Sequence, residues 1–133
     1  MPMFKMVEYN KAQPDIKAVY DDIMATRKTD FVNNFWKTLA TQPGLLRRVW
    51  TNAKEVMAPG KIDALTKEMI YVAVSITNGC DYCIHSHIAA AKSRGMSEEM
   101  FGELISVVGL ANQTNSLADG FRIPVDDQFE TAF

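Results

Sequence analysis

Residues 64–95 read ALTKEMIYVAVSITNGCDYCIHSHIAAAKSRG, and the fold follows from this stretch. Its first half centres on Met69-Ile70-Tyr71-Val72-Ala73-Val74, which is apolar on nearly every side of a helical wheel. The β-branched content admits a strand. However, the segment runs about 14 residues with the flanking Leu65 and Glu68, and that length favours a helix. The expectation is a central buried helix over 64–77, opened by Asp63 or Thr66 and stopped at Asn78-Gly79. A second helix is predicted over 81–94, with Gly95 behind it as C-cap. Cys80 then falls at a helix start, and Cys83 and His87 follow on the same face.

Working outward, residues 15–28 place Ile16, Val19, Tyr20 and Ile23 at helical spacing. Asn33 or Asn34 can cap a helix carrying Phe35, Trp36 and Leu39. Pro43 suits the first turn of another, with Leu45, Leu46, Val49, Trp50 and Ala53 apolar, which Pro59-Gly60 ends. Ser97, followed by Glu98 and Glu99, opens a helix that runs through Leu104, Val107 and Val108 toward Leu117. The tail from Gly120 reads as loop with a short terminal helix. No stretch alternates like an amphipathic strand, so the fold class is all-α. It is a bundle of about six helices with the Cys-x-x-Cys at the N-terminus of a central helix.

The chain has 133 residues, 47 % of them hydrophobic and 23 % charged, which is enough apolar material for one domain with a core. A net charge of −2 gives no general attraction to nucleic acid or to an anionic membrane. No apolar run approaches the roughly 18 residues of a membrane span. Met1-Pro2-Met3-Phe4-Lys5 does not read as a signal peptide, so the expected location is the cytoplasm. Thiols are kept reduced there, and a disulfide is more often catalytic than structural. The only two cysteines are three residues apart, too close for their bond to constrain the unfolded chain much.

Several readings of the Cys80–His87 segment compete. At i and i+4, His87 is within reach of the Cys83 thiol. Cys80 lies where free backbone N–H groups and the helix dipole favour a thiolate. The dipole therefore points to Cys80 as the reactive thiol and the imidazole to Cys83. A disulfide between them is sterically feasible. Glu68 is the odd residue of the apolar helix, and folding back at Asn78-Gly79 can bring it beside the cysteines, where it can take a proton from a thiol or from His87. Zinc is a weaker reading, because the chain has no second Cys or His pair to complete a structural site. A thioredoxin-like fold would need a βαβ pattern, which is absent. His85 falls off the stripe of Cys83 and His87 and is expected at the surface or an interface. Trp36, Trp50, Phe101 and the eight methionines are expected in core or interface.

The spacing Glu68-x11-Cys80-x2-Cys83-x3-His87 resembles the core motif of the alkylhydroperoxidase D-like proteins of the carboxymuconolactone decarboxylase superfamily. The resemblance covers roughly residues 65–110 of what it implies is a single domain over 1–133. It also implies an all-helical homo-trimer or homo-hexamer, and thiol-dependent reduction of a hydroperoxide through a dithiol–disulfide cycle. Carried over by position, Cys83 attacks the peroxide, Cys80 closes the disulfide, and Glu68 and His87 relay protons. The best-studied members have a histidine between the cysteines, where this chain has Tyr82. The decarboxylase branch typically lacks the cysteine pair. The expected partners are a hydroperoxide substrate and an external dithiol reductant, either a small dithiol or a lipoyl-type protein, with no cofactor and no metal. The alternative is a non-catalytic redox sensor or assembly protein that uses the same disulfide as a switch.

Overall fold

A computed structural model describes residues 3–130, and every regular element among them is helical. In chain order these are a 3-10 turn at Tyr9–Lys11, α1 (Pro14–Arg27), α2 (Asn34–Leu39), α3 (Pro43–Met57), α4 (Ala64–Asn78), α5 (Asp81–Ser93), α6 (Glu98–Gly120) and α7 (Asp127–Glu130). No helix among the described residues is long and apolar enough to cross a membrane. The chain divides between Ala58 and Pro59 into two compact units.

In the first unit, α1 and α3 bury the faces that their sequence periodicity marks out. Ile16, Tyr20 and Ile23 pack with Trp36, Leu46 and Trp50. Trp36 meets Trp50 edge-on with centroids 5.3 Å apart, a favoured aromatic geometry. The Tyr20 hydroxyl donates to the Val7 carbonyl at 2.8 Å. Its phenol pKa is pushed up to about 12, chiefly by burial and further by the Glu8 charge. The indole N–H of Trp50 donates to Asp22 at 2.7 Å and Lys54 donates to the same carboxylate at 2.9 Å, which joins α1 to α3. The Lys54 and Trp50 hydrogen bonds hold the Asp22 carboxyl below the ordinary 3.8.

The second unit is built on α4, α5 and α6. Asp63 is the N-cap of α4: its carboxylate accepts from the Thr66 N–H at 2.9 Å, and Thr66 itself lies inside the helix. The Thr66 backbone and hydroxyl hydrogen bonds hold the Asp63 carboxyl below 3.8. Gly79 ends α4 at φ 70°, where its N–H donates to Ile76 and that of Cys80 to Ser75. This is the Schellman pattern, with the glycine in the left-handed position. Gly95, at φ 105°, ends α5 in the same way, its N–H donating to Lys92 and that of Met96 to Ala91. Ser97 caps α6 by accepting from the Met100 N–H.

Val72, Leu104 and Val108 form the centre of this unit, with Met69, Ala73, Ile76, Ile88 and Phe101 packed around them. The expectation of a central helix buried on nearly every side is corrected here. Glu68, Val72 and Ser75 of α4 are buried, whereas Ile70, Tyr71 and Val74 are exposed. Burial depends on how many elements pack against a helix, and in this unit α5 and α6 contact α4. The polar residues Glu68 and Ser75 are buried while three larger apolar neighbours are not.

Candidate functional site

Cys80 takes part in both the end of α4 and the start of α5. Its backbone N–H closes the Schellman turn on Ser75, and its sulfur accepts from the Cys83 N–H at 3.3 Å as the N-cap of α5. This is the placement at which backbone N–H groups and the helix dipole stabilise negative charge on sulfur. Cys80 and Cys83 are joined in a disulfide, with Cα atoms 5.3 Å apart. Both cysteines are half-buried.

His87 lies one turn beyond Cys83 on α5. Its Nδ1 donates to Glu68 Oε2 at 2.7 Å, across the two helices. A carboxylate only accepts, so Nδ1 carries the hydrogen and Nε2 keeps its lone pair in the neutral ring. The bond is sheltered, the Glu68 side chain being 8 % exposed and that of His87 15 %. A short, charge-assisted bond in such a place is among the stronger kinds. The two residues are nineteen positions apart, and the antiparallel return after Gly79 brings them together.

Two neighbours were not singled out from the sequence. Arg94, at the end of α5, places Nε 3.8 Å from Glu68 Oε1, so the two carboxylate oxygens face different partners. Tyr71 stacks on His87 with ring centroids 3.6 Å apart and planes 19° from parallel. Helical spacing carried a signal for both. Arg94 is seven residues after His87, two turns along the same face, and Tyr71 is three after Glu68. Neither residue type is conspicuous by itself, since an arginine near a helix C-terminus and a tyrosine in an apolar run are ordinary.

His85 lies at the surface, as its spacing predicts. Its side chain is 77 % exposed, and its Nδ1 sits 2.9 Å from the Asp81 carbonyl oxygen. Tyr82, between the cysteines, is also exposed. Trp36 and Trp50 are buried in the first unit, and Phe101 is half-buried in the second. Among the described residues, no three His, Cys, Asp or Glu side chains are grouped as a metal site.

The model of the carboxymuconolactone decarboxylase family matches residues 43–126. The crystal structure of the alkylhydroperoxidase AhpD core from Rhodospirillum rubrum is 47 % identical, covers 98 % of both chains and superposes with a TM-score of 0.94. Uncharacterized protein 4 in the cox locus of Paracoccus denitrificans is 38 % identical over 55 residues, which is 41 % of this chain and half the length of that relative. An uncharacterized protein of Cupriavidus necator is 26 % identical over 84 residues, covering 63 % of this chain and 74 % of its own.

Proposed function

Because the chain belongs to the carboxymuconolactone decarboxylase family, as an alkylhydroperoxidase D-like member, we propose that it is a thiol-dependent peroxidase cycling through the Cys80–Cys83 disulfide. The observation that carries this reading is the disulfide at the head of α5, in the same helix pair as a part-buried Glu68–His87 hydrogen bond. The disulfide alone would suit a switch, but a carboxylate-bound imidazole one turn beyond Cys83 adds the means to move protons.

In the reduced protein, His87 Nε2 takes the Cys83 thiol proton and Glu68 stabilises the imidazolium that results. The Cys83 thiolate attacks the distal oxygen of a hydroperoxide, and the O–O bond breaks. Sulfur becomes a sulfenic acid, and the alkoxide leaves as the alcohol with the proton from His87. The Cys80 thiol displaces water from that sulfenic acid and the disulfide forms. An external dithiol, small or lipoyl-type, restores both thiols by exchange and becomes a disulfide itself. The reducing cytoplasm supplies such dithiols. The working unit is a homo-trimer or homo-hexamer, a reading supported by the apolar residues that α4 and α6 leave exposed.

The test is peroxide turnover with a dithiol reductant by the wild-type protein and by the Cys80→Ser and Cys83→Ser variants, with trapping of sulfenic acid. The expected result is steady turnover in wild type, none in either variant, and sulfenic acid trapped in Cys80→Ser. Trapping lost only in Cys80→Ser would reverse the two cysteines. Disulfide formation without turnover would replace the enzyme with a redox switch.

A further inference from the structure

The hydrogen bond to Glu68 settles which edge of the His87 ring faces the carboxylate. It does not settle the plane of the ring. One hydrogen bond leaves an imidazole free to swivel about the donor–acceptor line, and the terminal torsion of histidine is broad. Swivelling carries Nε2 out of line with any group it serves. General acid–base transfer needs the donor and acceptor held at hydrogen-bond distance, so a loose plane costs rate.

Tyr71 lies where it can remove that freedom. Its ring is parallel to the imidazole within 19° at a centroid separation of 3.6 Å. At that separation the two π faces are in van der Waals contact, and turning either ring drives an edge into the other's face. Tyr71 follows Glu68 by one turn of α4, so a single helix face offers the imidazole a carboxylate at its edge and an aromatic plane beneath it. The stack uses the face of the tyrosine and not its hydroxyl. Tyr71 gives and takes no proton in the proposed cycle and acts through the His87 ring it stacks on.

We infer that Tyr71 is a positioning residue. It fixes the plane of His87 so that the hydrogen bond to Glu68 persists and Nε2 keeps one direction through the catalytic cycle. The effect on turnover rests on the peroxidase reading above, whereas the effect on the imidazole does not.

The experiment follows the His87 tautomer by nitrogen-15 NMR of the oxidised protein, in which the Cys80–Cys83 disulfide leaves no thiol proton for His87 to take, together with kcat and KM for peroxide. It compares wild type, Tyr71→Phe, Tyr71→Leu and Tyr71→Ala. Tyr71→Leu keeps apolar bulk without a planar face, and serves if Tyr71→Ala does not fold. Wild type and Tyr71→Phe are expected to show one Nδ1–H tautomer with a slowly exchanging proton. Tyr71→Leu and Tyr71→Ala are expected to show mixed tautomers and a kcat lower by about tenfold, with KM within about twofold. An unchanged tautomer in the Leu and Ala variants overturns the inference, even if kcat falls. Absence of turnover in wild type, with the tautomer pattern as expected, refutes the peroxidase and leaves Tyr71 as the residue that orients His87.

Discussion

Two side chains, one from α5 and one from its C-cap, converge on Glu68, with His87 on one carboxylate oxygen at 2.7 Å and Arg94 near the other at 3.8 Å. Replacing it separates what holds the fold from what moves the proton. Glu68→Gln keeps the size and an oxygen that can accept from His87, but loses the charge and the ability to take up a proton. Removing one member of a buried ion pair is costly when the remaining charge stays buried. Arg94 is 44 % exposed and can return to water, so the stability cost of Glu68→Gln is expected to stay within about 1 kcal/mol by denaturant titration. Its peroxidase kcat is expected to fall about a hundredfold. A variant that turns over normally would remove Glu68 from the relay. From sequence, Glu68 stood out as a lone acid in an apolar run with His87 as its expected partner, whereas Arg94 was found only through the pairing of α4 with α5.

The turn between those helices is where local chemistry has the most control. Gly79 holds φ 70°, and nothing lies within 4 Å of the place a Cβ would occupy. Gly79→Ala therefore meets no clash, only the left-handed backbone penalty of about 1–2 kcal/mol. The same turn places Cys80, so the variant is expected to unfold at lower denaturant and to change the redox potential of the disulfide, read in a thiol–disulfide buffer. In the other unit, Asp22 joins α1 to α3, and its carboxyl is held below 3.8 by Lys54 and Trp50. A folded-state value below the unfolded one adds stability that is complete above 3.8 and lost as pH falls through the folded value. Asp22→Asn is expected to lower Tm near neutral pH, and the gap to wild type is expected to close as pH drops well below 3.8. A constant gap across that range would assign the role of Asp22 to packing. These helices were legible because their signals are local: Pro43 in a first turn, Asp63 and Ser97 as caps, and Gly79 and Gly95 at the ends.

For the molecule as a whole, the apolar residues that α4 and α6 leave outside decide the expected assembly. Ile70 and Val74 on α4, and Val107, Leu110 and Leu117 on α6, are all exposed in the single chain. Large apolar side chains left exposed in this number favour association. Light scattering after size-exclusion chromatography is expected to give the mass of a trimer or hexamer, and paired Val107→Glu and Leu110→Glu changes are expected to lower it. A monomeric mass for wild type would refute the assembly. The sequence by itself determined the all-helical class, most helix ends, and the common face of Cys83 and His87. Those follow from backbone geometry and capping, which act within a few residues. It also carried the four-residue motif on which the family resemblance rests. Only the tertiary structure decided that Glu68 binds His87 across nineteen residues, that Tyr71 lies flat on the imidazole, and that one side of α4 stays uncovered. Each of these depends on the register of α4 against its neighbours, and register is set by the summed packing of whole helix faces, which no short stretch contains.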